Sequence, residues 1–331
     1  MTAPTGPSPD LNVVLNAWGL AAARVTPFEG ASDRWRVEAV DRDGEPLLLR
    51  RYDASRTADS IAYEHDLLAF LADRSWPVAV PIATAEGATS VDAEDGRWAV
   101  FPLLPGAPPP DESIFLQRRG ALLALVHADL ADWSGTLRRG RVDDFDAAVR
   151  PHGLASFEAL LARVHAVDPM RANMLAVLRM RVEEQLEAYG YADLSPLPLW
   201  GACTSEHVLF DGNDVTGLID FDESRADARA VDIAQSLLAD SRSIGWRIIR
   251  WVAGYSAHAK PPLTEQEADL VPVVMAALML RRTASALAAA QSAAALDERA
   301  LAVVDEAITV EANEADLRQV IRTAARLSPV V

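Results

Sequence analysis

The sequence predicts an α+β protein of two lobes: a small lobe built on an antiparallel sheet, then a larger and mainly helical lobe. The 331 residues are half hydrophobic and 24% charged, which is typical of a globular chain with a large core. Strand-like alternation dominates the first hundred residues, and long helical patterns dominate the rest. The proline-rich segment PGAPPP, residues 105–110, disfavours helix and separates the two parts.

The first lobe is expected to span residues 1–105. Its first ten residues, MTAPTGPSPD, are rich in Pro and Ser, and we expect them to be disordered. The turn sequence Asp41–Gly44 separates two strand-like segments, and apolar residues at helical spacing follow. In chain order we predict a helix over 11–23, strands over 24–40 and 46–52, a helix over 57–73, and strands over 77–83 and 97–103.

The second lobe is expected to span residues 106–331. Helical periodicity dominates it, and one pair of short apolar strands interrupts the helices. We predict helices over 116–132, 156–167 and 171–189, strands over 208–210 and 215–219, and helices over 231–238, 243–258, 264–289 and 296–327.

Composition excludes several kinds of function. The net charge of −17 argues against nucleic-acid binding as the main role. The single cysteine, Cys203, excludes an internal disulfide and a Cys-based zinc site. No apolar run approaches the roughly 18–20 residues that span a bilayer, and the N-terminus does not resemble a signal peptide, so we expect a cytoplasmic protein that does not bind membranes. Lys260 is the only lysine, and no glycine-rich run precedes it, which excludes a P-loop.

The most informative segment is Leu199–Asp222, LWGACTSEHVLFDGNDVTGLIDFD. Two apolar strands joined by an Asp-Gly-Asn turn bring the polar loop before them close to Asp220 at their end. A phosphotransferase presents a catalytic loop and a metal-binding Asp to one nucleotide in this way. The segment therefore predicts phosphoryl transfer.

From about Val25 to Leu280 the chain resembles the aminoglycoside phosphotransferase family, a group with a protein-kinase-like fold that includes choline kinases. The family loop H-G-D-x-x-x-x-N/H-x-L, followed by I-D-F/W, stands here as WGACTSEHVL and IDFD. Weaker matches occur in order: PFEGASDRWRV, LLLRRY, AYEHDLLAFL and WAVFPLLPG. The resemblance implies a bilobal kinase that uses ATP or GTP with Mg²⁺.

Two residues of this segment are implied as metal-site residues. Asp220 corresponds to the family's Mg²⁺ ligand, and a carboxylate is the hard oxygen donor that Mg²⁺ prefers; the alternative is an Asp that only caps a strand. His207 stands where many members have Asn, the second metal-site residue, and it could instead pack below the loop. Asp222 either supports the site or faces solvent.

Ala202 is the main departure from the family. The family has an Asp there that accepts the proton of the substrate hydroxyl, and a methyl group cannot do so. Either the natural protein has lost its base, which would make it a pseudokinase, or this chain carries an introduced Asp→Ala substitution. The rest of the motif is present, which favours the second interpretation.

Nucleotide-binding residues are implied in the first lobe. Arg50 takes the place of the family's phosphate-binding Lys and has Glu64 as its expected partner, with Arg51 as the alternative if the strand register differs. Gly30 and Ser32 could present backbone N–H groups to phosphates, although a plain hairpin explains them equally well. Pro102 has no N–H, so the donor to the base would be Leu103 or Leu104.

Asp232 is expected to support the catalytic loop through hydrogen bonds to its backbone, and an ordinary helix cap is the alternative. The acceptor is expected to bind to the second lobe, where no motif identifies it. A small-molecule hydroxyl, of an antibiotic or a metabolite, and a peptide Ser or Thr both remain open. Antibiotic resistance and natural-product biosynthesis are the settings that the resemblance suggests.

Overall fold

The structure is a computed structural model that describes residues 11–20, 23–28, 33–38, 46–109, 113–201, 203–240, 245–290, 292 and 295–326. The predicted tail and the predicted site residues Gly30, Ser32 and Ala202 lie outside the described residues. The predicted fold class is confirmed: an antiparallel sheet forms in the N-terminal part, and helices dominate the C-terminal part.

The chain divides into two compact units. The first comprises residues 1–108 and 207–222, and the second comprises residues 109–206 and 223–331. Residues 207–222, which the sequence analysis assigned to the second lobe, therefore pack with the first unit.

The first unit is built on a five-stranded antiparallel sheet and a separate two-stranded hairpin. Its elements are α1 (Leu11–Asn16), β1 (Arg24–Pro27), β2 (Arg34–Glu38), β3 (Leu47–Arg51), α2 (Ala58–Asp73), β4 (Val91–Ala93), β5 (Gly96–Pro102), β7 (Val208–Asp211) and β8 (Asp214–Leu218). The strand order in the sheet is β1-β2-β3-β5-β4, and β7 and β8 form the hairpin.

Strand β3 has one apolar face and one face that carries a charged side chain. Leu47 and Leu49 point to one face and are buried in a core with Trp98 and Val100. Arg50 lies on the opposite face, where its guanidinium stacks over Tyr52 at 4.7 Å from the ring centre. The strand therefore carries a buried arginine on the face away from this core.

Helix α2 begins where its sequence predicts. The Thr57 side chain accepts a hydrogen bond from the backbone N–H of Ser60, which satisfies one of the free donors of the first turn. The helix buries Ile61, Leu67 and Leu68 together with Glu64. A carboxylate is thus carried into the interior on the apolar face of a helix.

The hairpin β7-β8 is attached to the rest of the first unit at two places. Leu218 donates its backbone N–H to the carbonyl of Pro77 at 2.8 Å, and Ala107 and Phe210 exchange backbone hydrogen bonds of 3.1 and 2.8 Å. These bonds fix the end of β8, and with it the position of Asp220.

The second unit is mainly helical. Its elements are α3 (Ser113–Leu130), α4 (Phe157–His165), α5 (Pro169–Ala188), β6 (Leu197–Leu199), β9 (Arg225–Asp227), α6 (Arg229–Asp240), α7 (Gly245–His258), α8 (Glu265–Ala289), α9 (Glu298–Ala312) and α10 (Glu314–Arg326). Strands β6 and β9 pair antiparallel.

Helices α3 and α7 approach closely because each has a glycine at the contact. A Cβ atom at Gly120 would lie 2.0 Å from the carbonyl oxygen of Trp251, and one at Gly254 would lie 2.0 Å from that of Gln117. Any side chain at either position would separate the helices. Trp251 and Tyr255 on α7 are consequently buried beside α3.

Several predicted elements differ from the structure. Residues 77–83 were predicted as a strand but make only isolated backbone contacts, such as the bridge between Val78 and Leu218. The single helix predicted over 296–327 is two helices, which break at Asn313. The three-residue strands β4, β6 and β9 were not predicted because they are too short for an alternating pattern.

Helix α8 (Glu265–Ala289) is, by length and a mean hydropathy of 1.5 alone, apolar enough to cross a membrane. However, 72% of its most apolar stretch is buried inside the protein. The core helix of a globular protein is buried to a similar extent. The helix begins with a capping box formed by Thr264 and Glu267.

Candidate active site

A cluster of two arginines and two carboxylates lies in the first unit. Arg50 on β3 donates from Nη1 to Glu64 Oε1 at 3.2 Å and from Nη2 to Asp222 Oδ2. Arg56 donates from Nη2 to Glu64 Oε2 at 2.7 Å, and its Nη1 lies 3.7 Å from Asp222 Oδ1. Glu64 is 1% exposed and Arg50 is 7% exposed. Strand β3 contributes Arg50 to this charged cluster, helix α2 contributes Glu64, and the segment after β8 contributes Asp222.

Arg50 and Asp222 each stabilise the charged form of the other. Burial alone would lower the pKa of Arg50, but the hydrogen bond with Asp222 and the charges of Asp222 and Glu64 raise it well above its ordinary value. Burial opposes ionisation of Asp222, yet the bond from Arg50 lowers the pKa of that carboxyl. Arg50 and Asp222 are therefore both charged at neutral pH.

The cluster also contains polar atoms without a hydrogen-bond partner. Arg50 Nε, Arg56 Nη1 and Asp222 Oδ1 are all buried without a hydrogen bond in the part of the chain that the structure describes, although Arg56 Nη1 and Asp222 Oδ1 lie 3.7 Å apart as an ion pair. Buried polar groups are normally satisfied, and each exception calls for an explanation. Two unpaired guanidinium donors have the chemistry that a phosphate oxygen would satisfy.

Asp220 follows the end of β8 in an uncommon backbone conformation, with φ at +65°. Few residues other than glycine adopt this conformation, although Asp tolerates it better than most. Asp220 Oδ2 lies 3.1 Å from His207 Nε2, and Oδ1 lies 3.8 Å from Arg34 Nη2. Burial and the nearby Asp222 carboxylate raise the pKa of Asp220.

These residues can be tested for their fit to a divalent metal. Among the described residues no group of three or more His, Cys, Asp or Glu side chains is placed to hold a metal by itself. Mg²⁺, however, is commonly bound by one or two carboxylates together with phosphate oxygens and water. A cation beside Asp220 would offset the repulsion from Asp222. The residues therefore fit an Mg²⁺ ion that arrives with nucleotide phosphates.

The segment after β5 contains the predicted donors to a base. The Leu103 N–H donates to the carbonyl of Pro46 at 3.1 Å, so this donor is already used within the first unit. Leu104 then remains as the predicted donor to a nucleotide base.

The loop before β7 begins in the second unit, and Asp232 on α6 supports it. The Asp232 carboxylate accepts the backbone N–H of Trp200 at 3.0 Å and that of Gly201 at 2.8 Å. His127 Nε2 lies 3.0 Å from the same carboxylate, and His127 Nδ1 lies 2.8 Å from the Tyr255 hydroxyl. Asp232 is fully buried, so this network fixes the loop backbone directly before position 202.

The backbone conformation and the close packing at position 201 both require glycine. Its φ is +85°, and a Cβ atom there would lie 2.8 Å from the backbone of Glu223. A larger residue would therefore be strained and would displace the segment after Asp222. The loop and the start of β9 are consequently held in close contact within the second unit.

Of the sequence-predicted residues, the structure brings Arg50, Glu64, His207, Asp220 and Asp222 together in the first unit. Asp232 lies in the second unit, on the loop backbone. Arg51 points to the other face of β3 and pairs with Asp95 at 2.9 Å, so it does not join the cluster.

Three residues near these groups were missed by the sequence analysis. Arg34 is the cross-strand neighbour of Arg50, and only the strand register reveals it. Arg56 precedes α2 and reaches Glu64 two turns further on. His127 lies on α3, and its pairing with Asp232 is a contact between residues that are 105 positions apart in the chain.

A model of the phosphotransferase enzyme family (APH) matches residues 24–270, about three quarters of the chain. The chain belongs to this family. A 30% identical relative is an uncharacterized protein, sll1119, of Synechocystis sp. PCC 6803. The alignment covers 72% of this chain and 65% of the relative, so the chain spans slightly under two thirds of that protein's length.

Solved structures of kinases share the fold of this chain. The amicoumacin kinase hAmiN, in complex with AMP-PNP, Ca²⁺ and Ami, has a TM-score of 0.63 at 16% identity, covering 92% of this chain and 90% of that one. A microcompartment-associated aminopropanol kinase has a TM-score of 0.60 at 19% identity, covering 96% and 98%. At these identities the likeness is one of fold.

Proposed function

We propose that this chain is built to transfer the γ-phosphoryl group of ATP or GTP, with Mg²⁺, to a hydroxyl group of a small molecule. The first unit binds the nucleotide, and the second unit binds the acceptor. Two of the structurally similar kinases are named for the small molecules amicoumacin and aminopropanol, which supports a small-molecule acceptor over a peptide Ser or Thr.

The observation that carries this proposal is the buried cluster with unpaired donors. Arg50 Nε and Arg56 Nη1 are buried without hydrogen-bond partners in the described structure, beside a carboxylate oxygen in the same condition. A nucleotide phosphate would satisfy both donors. Mg²⁺ would neutralise phosphate charge in the transition state.

This chain's residues have separate roles in the proposal. Arg50 and Arg56 bind phosphate oxygens, and Glu64 keeps both guanidinium groups in place. Asp220 holds the metal, and His207 orients Asp220 or a water molecule of the metal. Leu104 donates its N–H to the base, and Asp232 holds the loop that faces the acceptor.

The residue at position 202 determines the rate. Because Ala202 cannot accept a proton, the chain is expected to bind Mg²⁺-nucleotide and to transfer phosphate slowly. Replacing Ala202 by Asp should raise turnover by about 10²–10⁴-fold, the usual contribution of a general base. Nucleotide affinity should change little, since the base contacts the acceptor.

The experiment compares Ala202→Asp with Ala202→Asn, which has the same shape but does not act as a base. Nucleotide consumption is measured with a panel of hydroxyl compounds and with water alone as acceptor. A rate gain in Ala202→Asp only supports the proposal. Equal rates in both variants would favour the second candidate, a pseudokinase that binds nucleotide or a partner as a scaffold, which the Ala at position 202 itself suggests.

A further inference from the structure

The aromatic ring of Tyr52 contacts both guanidinium groups of the charged cluster in the first unit. The guanidinium carbon of Arg50 lies 4.7 Å from the ring centre, and that of Arg56 lies 5.4 Å from it. Both distances are within the range of a cation–π contact. Tyr52 directly follows β3 and is 3% exposed, so the contacts are shielded from water. One ring thus contacts both arginines that the proposed function assigns to the phosphates.

The ring of Tyr52 is itself held in place by polar and aromatic neighbours. Its hydroxyl lies 2.8 Å from His65 Nε2, and His65 Nδ1 lies 2.7 Å from Thr89 Oγ1. The buried His65 ring meets that of Phe101 edge to face, with 5.8 Å between the ring centres. Burial raises the pKa of Tyr52 and lowers that of His65 to about 4, so both side chains are neutral at neutral pH. These contacts fix the orientation of the Tyr52 ring.

Helix α2 supports the two arginines in two different ways. Glu64 accepts hydrogen bonds from both guanidinium groups, and the adjacent His65 holds the ring that the same groups contact. Hydrogen bonds reach a guanidinium group at its edge, along its N–H bonds, whereas an aromatic ring contacts its planar face. The edge contacts and the face contacts together restrict both the position and the tilt of each guanidinium group.

The two guanidinium groups keep donors that these supports do not use. Arg50 Nε is buried without a hydrogen bond among the residues that the structure describes. Arg56 Nη1 likewise makes no hydrogen bond there and lies 3.7 Å from Asp222 Oδ1. A phosphate oxygen would satisfy such donors.

Fixing these donors in advance would strengthen the binding of an anion. An arginine side chain has many rotamers, and a ligand that must immobilise it loses part of the binding free energy. A guanidinium group that is already oriented avoids this loss. The ring of Tyr52 provides such orientation for two guanidinium groups at once.

We propose that Tyr52 is a positioning residue for phosphate binding, whose ring orients the guanidinium groups of Arg50 and Arg56 toward the nucleotide phosphates. The inference rests on the proposed function and adds an aromatic residue to its phosphate site. The two parts of the side chain have different roles. The ring acts on the arginines, and the hydroxyl holds the ring through His65.

The test replaces Tyr52 by phenylalanine and by mono-, di- and trifluorinated phenylalanine. Fluorine withdraws electron density from the ring face and changes the ring's shape little, so the attraction for a cation weakens stepwise. The affinity for AMP-PNP with Mg²⁺ is measured by calorimetry. We expect Tyr52→Phe to bind within about twofold of the unmodified chain, and the trifluorinated variant to bind about tenfold more weakly, as expected for two shielded cation–π contacts.

Two further measurements separate positioning from a merely structural role. Adenosine, which has no phosphate, should bind equally to all the variants in ligand-observed NMR. Tyr52→Phe should unfold at a lower temperature than the unmodified chain, because the buried His65 loses a hydrogen bond, and should still keep its affinity for AMP-PNP. Affinity is thus expected to follow the ring, and stability to follow the hydroxyl.

Tyr189 provides the matched control. The guanidinium carbon of Arg318 lies 4.7 Å from the Tyr189 ring centre in the second unit, the same distance as between Arg50 and Tyr52. The same series of phenylalanines at position 189 should leave the affinity for AMP-PNP unchanged. The inference would be overturned by an affinity that does not fall with fluorination at position 52, by an equal fall at both positions, or by a parallel loss of adenosine binding.

Failure of this inference differs from failure of the proposed function. Binding of AMP-PNP to the unmodified chain is measured first, and its absence would contradict the phosphotransferase proposal and the role of Tyr52 together. If the unmodified chain binds AMP-PNP but the fluorinated series at position 52 does not change its affinity, only the role of Tyr52 is rejected.

Discussion

Arg50 and Glu64 form a buried ion pair across 3.2 Å, between the third strand of the sheet and the helix that follows it. Arg56 binds the other oxygen of Glu64 at 2.7 Å. One carboxylate thus orients two guanidinium groups, and its own side chain is almost completely shielded from water. Glu64 therefore determines both the stability of the first unit and the geometry of its proposed phosphate site.

Replacing Glu64 by Gln should lower the free energy of unfolding by about 3 kcal/mol, because removal of one partner leaves buried charges uncompensated. Urea denaturation measures this change. The control is Asp95→Asn, which removes the partly exposed pair with Arg51 and should cost less than about 1 kcal/mol. If Glu64→Gln costs no more than the control, the cluster does not stabilise the unit.

His65 should make stability fall in mild acid. The ring lies 2.8 Å from the Tyr52 hydroxyl and 2.7 Å from Thr89 Oγ1. Burial, together with Arg50 and Arg56, lowers the pKa of His65 to about 4. Because the unfolded chain has a pKa near 6.5, it binds a proton that the folded protein does not, and folding is penalised increasingly as pH falls from about 6.5 to 4.

Denaturation of the unmodified protein and of His65→Gln at several pH values between 7 and 4 checks this prediction. The unmodified protein should lose stability more steeply over this range than His65→Gln. Parallel curves would show that His65 does not contribute to the pH dependence.

Asp232→Ala should destabilise the second unit and loosen the loop. It leaves the backbone N–H groups of Trp200 and Gly201 buried without an acceptor, at about 1–3 kcal/mol each. Amide hydrogen exchange should become faster at Trp200 and Gly201. Asp316→Ala, an exposed position on α10, is the control. Unchanged exchange at the two amides would contradict the supporting role.

Much of the charged site could be predicted from the sequence, because its residues lie in short segments with a clear periodicity or motif. Alternation predicted a strand over 46–52 that carries Arg50, and helical spacing predicted the helix that follows, which carries Glu64. The family motif predicted Asp220 and His207 as site residues. These features depend on short segments with a clear period or a specific loop.

The rest depends on contacts between distant segments. Arg34 joins Asp220 because β2 pairs with β3, and Arg50 bonds to Asp222, which lies 172 positions further along the chain. The use of the Leu103 N–H by Pro46 is likewise a tertiary contact, and it narrows the predicted base donor to Leu104. No sequence period indicates such pairings.

The most direct measurement of the central claim is calorimetric titration of the unmodified chain with AMP-PNP in the presence and absence of Mg²⁺. The account predicts binding that requires Mg²⁺, a large loss of affinity in Asp220→Asn, and unchanged affinity in Asp214→Asn, an exposed control on the same hairpin. No binding by the unmodified chain, or equal affinity in both variants, would contradict it.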